Sequence, residues 1–227
     1  MLTQPCQTLP KEAANPSTLE TVKSFALNQF NGASGSHDWE HTLRVVRLCK
    51  RIGLQEGVDM DVLLSAGYLH DIGRSYQDAA KGAVCHAEKG EKLAAPLITG
   101  LDLSDAQKDN IRHCIRSHRF RGKDSPATPE ARVLFDADKI DAIGAVGIAR
   151  AYLFAGELGA RLHNPDVRVE DAHPYSQDDT GYREYMVKLS KIKDRIRTET
   201  GRAMAQDRHR FMEQFFQRFI QEFNGER

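Results

Sequence analysis

Apolar residues recur along most of this chain at the three- and four-residue spacing of a helix, and no stretch shows the alternation of a half-buried strand. Residues 1–16 form a loose arm. Ser17 and Glu20 then have the form of a capping box and open a first helix through about Phe30. Asn31 to Ser36, with two glycines, is a break. A second helix runs from about Ser36 to Glu56, with His41, Val45, Leu48 and Ile52 on one face, and Gly57 ends it. A third covers Asp59 to Ile72 and turns Leu63, Ala66, Gly67 and His70 inward. A fourth spans Val84 to Ile98. Ser104 and Gln107 form another box, opening a fifth helix whose inner face is Ile111, Cys114, Ile115 and His118. Pro129 suits the first turn of a sixth, which carries Leu134, Asp138 and Asp141 and continues toward Leu158. Residues 159–181 are a long polar loop holding Pro165 and Pro174. Tyr182 to Phe223 is helical and ends in the stripe Phe211, Phe215, Phe219 and Phe223, read as intramolecular core.

The predicted fold is therefore all-α. A compact helical bundle over 17–158 is followed by the polar loop or lid and by a helical extension, 182–227, that packs on it. At 227 residues with 40% hydrophobic content the chain can bury a sizeable core. Lysine plus arginine, 32, equals aspartate plus glutamate, 32, so no broad nucleic-acid or membrane footprint is expected. No apolar run approaches the length of a membrane span, and the first residues have no signal-peptide pattern. Cys6, Cys49, Cys85 and Cys114 are scattered without a CxxC, which fits buried thiols in a reducing, cytoplasmic setting. Monomer and homodimer are both compatible with the pattern.

Histidine position changes the picture more than composition does. His41, His70, His118 and Asp138 fall on the apolar lines of four different helices. One buried polar residue is unremarkable, but several ionisable groups turned inward need a shared partner, and a metal ion is one. Adjacent residues such as His70 and Asp71 converge on one point only at a helix end, and Gly73 marks that end. Two imidazoles and two carboxylates suit a divalent first-row ion. His37 shares the face of His41, and spacing alone does not choose between them. Asp136 competes with Asp138, although Leu134 one turn earlier favours Asp138.

The chain resembles the HD-domain superfamily. The resemblance is carried by SHDWEHTLRVVRL, AGYLHDIGR and LFDADKIDAIGAVGIAR, over roughly residues 20–155, and the tail resembles a subgroup of small bacterial HD proteins. It implies that His41, His70, Asp71 and Asp138 hold a divalent ion (Mn, Fe, Co, Ni, Zn or Mg), with Asp141 behind them. Members with two ions add two histidines. Here His86 in VCHAEKG and His118 in IRSHRFRG stand in that place, as ligands of a second ion, as partners of substrate phosphate, or as packing. His113 is expected off the inner line, and His163, His173 and His209 outside the core pattern.

A phosphate ester needs positive charge around the ion. Arg74 follows the His70-Asp71 pair, Lys139 follows Asp138, and Arg119 follows His118; Arg44 and Arg121 read as surface charges. No P-loop, GxGxxG or GxSxG is present, nor the HDxxED of guanosine tetraphosphate hydrolases, nor the GYP element of cyclic-dinucleotide phosphodiesterases. The expected activity is hydrolysis of a phosphomonoester or phosphoanhydride of a nucleotide-like substrate, a pyrophosphohydrolase included. A water of lowered pKa attacks, Asp71 or a histidine helps take its proton, and Arg74 and Lys139 stabilise charge. Two other readings are a di-iron oxygenase of HD type and a non-catalytic nucleotide-binding protein.

Overall fold

The structure, a computed structural model, describes residues 15–30, 39–80, 82–119 and 124–227. The expected break at 31–36, the helix start at Ser36, His37, Arg121 and nearly all of the N-terminal arm lie outside the described residues. Among the described residues, ten α-helices and a short 3-10 segment make up the regular structure and no strand occurs. No helix among them is long and apolar enough to cross a membrane.

Helix α1 (Pro16–Gln29) is opened by Asn15 rather than by the expected Ser17. The Asn15 side chain accepts from the Ser17 N–H at 3.1 Å, and Pro16 takes a first-turn position where its missing N–H leaves no orphan donor. Helix α2 (Trp39–Glu56) buries His41, Val45, Leu48 and Ile52 as predicted and packs against α3 (Met60–Leu69) and against α7 (Pro129–Asp141). Asp59 caps α3, accepting from the N–H groups of Asp61 and Val62. A six-residue helix, α4 (Arg74–Ala79), follows the His70–Gly73 turn. The apolar pattern gave no hint of it, because it buries no residue. Helix α5 (His86–Gly100) packs on α6 (Asp105–Ser117), whose capping box of Ser104 and Gln107 forms in full.

The expected sixth helix is two. Helix α7 (Pro129–Asp141) stops, and α8 (Gly144–Glu157) restarts after Ile143. Gly144 has φ +79°, a backbone that disfavours side chains, and a Cβ there would meet the Arg208 side chain at 3.0 Å. After the loop come α9 (Gly181–Val187), the 3-10 segment Leu189–Arg195 and α10 (Glu199–Phe223). The phenylalanine stripe is only half core: Phe215 and Phe219 pack against the core as expected. The buried line of α10 is Gly201, Ala205, His209, Met212 and Phe216, whereas Phe211 and Phe223 are exposed.

The C-terminal segment grips α7 at two points. Asp136, fully buried, accepts from the N–H groups of Arg197 (2.9 Å) and Thr198 (2.7 Å) and from the Thr198 hydroxyl (2.7 Å). Arg208 on α10 donates to the carbonyls of Ile140 (2.5 Å) and Ile143 (3.4 Å), capping the end of α7. Removing the carboxylate strands three donors in the interior, so Asp136→Ala should destabilise the fold by about 3 kcal/mol. Thermal unfolding followed by circular dichroism should then show a midpoint lower by roughly 5–10 °C. An unchanged midpoint would mean the grip contributes nothing.

Candidate metal centre

Helix α3 ends at Leu69, which frees His70 and Asp71 from the helical spacing that would point them apart. The turn is held by the Arg74 N–H donating to the Asp71 carbonyl at 2.9 Å. Gly73 completes it against the first turn of α5. A Cβ at this position would lie 2.2 Å from the His86 carbonyl oxygen and 2.6 Å from the Gly90 nitrogen. Only glycine permits that approach, and it brings His86 within reach of Asp71.

Two groups of side chains converge here. His41, His70 and Asp138 form one; Asp71, His86 and His118 form the other. Asp71 lies between them, 4% exposed. Its Oδ2 is 3.7 Å from His41 Nε2 and 3.9 Å from His70 Nε2, while its Oδ1 is 3.3 Å from His86 Nε2 and 3.6 Å from His118 Nε2. Asp138 Oδ1 is 3.5 Å from His41 Nε2. Every predicted ligand therefore reaches one site, and the two uncommitted histidines join it. Asp136, the rival of Asp138, points instead to Thr198.

Each imidazole presents Nε2 to the centre and is tied through Nδ1 from behind. His70 Nδ1 donates to the Gly67 carbonyl (2.8 Å), His118 Nδ1 to the Ile115 carbonyl (2.6 Å), and His41 Nδ1 to Asp141 (2.8 Å). His86 Nδ1 meets Gln77 Oε1 at 2.9 Å. Carbonyls only accept, so His70 and His118 carry bare lone pairs on Nε2. Those lone pairs sit 3.4 Å from His41 Nε2 and 3.1 Å from His86 Nε2, beside carboxylates. Protonated His41 can donate to His70, but His118 and His86 with both Nδ1 protons held behind them set lone pair against lone pair, which repel in a dry interior unless a cation lies between them. The donor set thus fits divalent ions, with the rear partners that metal-binding histidines usually have.

The electrostatics agree. Burial holds His70 down at about 4 and His86 at about 3, so both stay neutral and available as ligands at neutral pH. Burial also opposes the charging of His41, but hydrogen bonds and charge from Asp138, Asp141 and Asp71 outweigh it and raise the group to about 9. Burial alone would push the two downstream carboxyls up. Lys139 and His41 instead hold Asp138 well below the usual carboxylate range, and His41, Arg44 and Arg150 hold Asp141 at about 2.

The cations divide by position. Lys139 Nζ donates to Asp138 Oδ2 (2.6 Å) and to the His118 carbonyl (3.3 Å). Arg74 pairs with Asp78 at 3.2 Å and Arg119 donates to Cys85 Sγ at 3.1 Å; the charge of each bears on His86. Arg44, read from sequence as a surface charge, grips Asp141 through Nε (2.8 Å) and Nη2 (3.1 Å). Arg150 joins it at 2.7 Å and was missed, as was Gln77. Each lies beyond a boundary that the apolar pattern did not reveal, the α7–α8 break or the start of α4. His163 packs edge-on against Tyr182, Phe219 and Phe223, His209 pairs with Glu213, and His173 is exposed.

Known proteins share this framework. The sequence model of the HD domain matches residues 38–143. The Bacillus subtilis protein YpgQ is 33% identical over 211 residues, 91% of this chain and 94% of that protein. The crystal structure of YpgQ in complex with ADP superposes with a TM-score of 0.69 at 27% identity, covering 90% of this chain and 97% of that one. An HD-superfamily hydrolase from Bacillus thuringiensis superposes with a TM-score of 0.73 at 26% identity, covering 92% and 97%. With the histidine and aspartate constellation standing where the motifs put it, the chain belongs to the HD-domain superfamily of hydrolases.

Proposed function

We propose that this hydrolase is a divalent-metal-dependent phosphohydrolase acting on a phosphomonoester or phosphoanhydride bond of a nucleotide. His41, His70, Asp71 and Asp138 hold one ion; Asp71, His86 and His118 hold a second. The observation that carries this reading is the orientation of Asp71, with one oxygen toward each ligand group. A divalent ion bound there supplies Lewis acidity toward a phosphoryl oxygen and lowers the pKa of a water. With an oxygen turned to each ligand group, Asp71 suits the role of a metal ligand better than that of a free base.

The chain's own charges do the rest. Arg74 and Arg119, whose charges bear on His86, would hold phosphate oxygens, Arg in bidentate fashion. Lys139 ties Asp138 to the end of α6 and adds positive charge beside the ligand groups. The ADP found in YpgQ supports a nucleotide as the substrate. The same six ligands would serve a paired-iron oxygenase, but the fence of cations favours an anionic phosphate. Elemental analysis, together with an absorption or Mössbauer signature of paired iron, separates the two.

The central test is a screen of nucleoside mono-, di- and triphosphates with Mn, Ni, Co and Mg, scoring phosphate and pyrophosphate release. Asp71→Ala should lower turnover at least about a hundredfold and reduce bound metal. Full activity with full metal content in that variant would sink the proposal.

Metal binding should also depend on pH. In the metal-free chain His41 keeps its second proton up to about 9, so an ion can bind only as that proton leaves. His70 and His86, at about 4 and 3, are already bare and add no slope near neutrality. Apparent affinity should therefore rise about tenfold per pH unit between roughly pH 6 and 8. Chelator-competition titrations would show this, and a flat profile would contradict the role given to His41.

A further inference from the structure

The four imidazoles are not tied in the same way. The partners of His41, His70 and His118 are a carboxylate and two main-chain carbonyls, all of which only accept. Each fixes its Nδ1 as a donor and so directs Nε2, on which no partner behind the ring makes a claim, at the ion position. His86 differs. Its Nδ1 partner is the side-chain amide of Gln77, which can turn about its last bond to offer either an acceptor oxygen or a donor NH2.

That difference matters when the Asp71–His86–His118 position holds no ion. His118 Nε2 then keeps a lone pair, because its Nδ1 proton is committed to Ile115. A second lone pair on His86 Nε2, 3.1 Å away, would oppose it, with Asp71 Oδ1 at 3.3 Å on the same side. His86 can relieve this by carrying its proton on Nε2 instead of Nδ1, donating to His118 or Asp71. Nothing is gained or lost overall, but Nδ1 becomes an acceptor, and only a partner able to reverse its polarity can follow. Gln77 is such a partner, and it sits on α4, outside the bundle core, next in line after Arg74 and Tyr76.

We propose that Gln77 is a positioning residue that makes the ion of the Asp71–His86–His118 group exchangeable, while the ion of the His41–His70–Asp138 group is held by fixed acceptors. The inference rests on the two-ion reading above. Gln77→Glu offers only acceptors and should lock His86 in its ion-ready form; Gln77→Met keeps the length and offers no partner. Mn titration by calorimetry, with stoichiometry checked by elemental analysis, should find the tighter ion unchanged in both variants. The weaker ion should bind about tenfold more tightly in Gln77→Glu and about tenfold more weakly in Gln77→Met. Nitrogen-15 spectra of the metal-free imidazoles should show His86 protonated on Nε2 in the parent chain and on Nδ1 in Gln77→Glu. Equal weakening in both variants, an unaltered second ion, or a parent His86 protonated on Nδ1 without metal would each overturn the role of Gln77. A parent chain that binds a single ion would overturn the two-ion reading itself, and shows in its stoichiometry before any variant is made.

Discussion

Asp71 is a carboxylate almost shut off from water, with imidazole nitrogens within 4 Å of both its oxygens. Such an arrangement cannot stand on packing. Desolvating a carboxylate costs several kcal/mol, and lone pairs of neutral imidazoles facing it add to that cost. Positive charge is needed at the point where α2, α3, α5, α6 and α7 meet; protonated His41 supplies one in the metal-free chain, and bound ions would supply it otherwise. Much of the surrounding construction serves that need. Nδ1 partners turn each ring, Lys139 steadies Asp138, and Arg44 with Arg150 steadies the carboxylate behind His41.

Helix α7 shows how one short element serves two tasks. Residues two apart on a helix point in nearly opposite directions. Asp138 accordingly faces the imidazoles while Asp136 faces the start of α10. The same helix is thus anchored to the C-terminal segment on one side and contributes to the centre on the other. Arg208 closes its end, where Gly144 lets the chain turn away. The tail is in this sense part of the mounting of Asp138 rather than an ornament on the bundle.

Much of this was legible in the sequence, and the gaps have physical causes. The inward faces of α2, α3 and α6 were readable because apolar spacing and ionisable residues coincide there. His70 and Asp71 were placed at a helix end by Gly73. The break between α7 and α8 was not seen, since Ala142 and Ile143 continue the apolar pattern and only the backbone of Gly144 interrupts it. Helix α4 has no buried face to leave a trace, which hid Gln77. The capping of α1 was assigned to Ser17 because its spacing to Glu20 fits a box, while Asn15 followed by Pro16 is the pair that forms. On α10 the aromatic stripe drew attention from its neighbours, and Met212 and Phe216 face the core. Spacing identifies a face; what lies opposite decides which residues of that face are covered.

Gly73 gives the centre its dimensions. Because the chain has only a hydrogen there, the turn after Asp71 and the first turn of α5 can touch backbone to backbone. A single methyl group would force the two apart by roughly 1 Å, since close-packed interiors do not absorb such an overlap. His86 would then withdraw from Asp71 while His41, His70 and Asp138 stayed where they are. The difference between a centre with three imidazoles within reach of its shared carboxylate and one with four is set, in this chain, by the absence of one carbon atom.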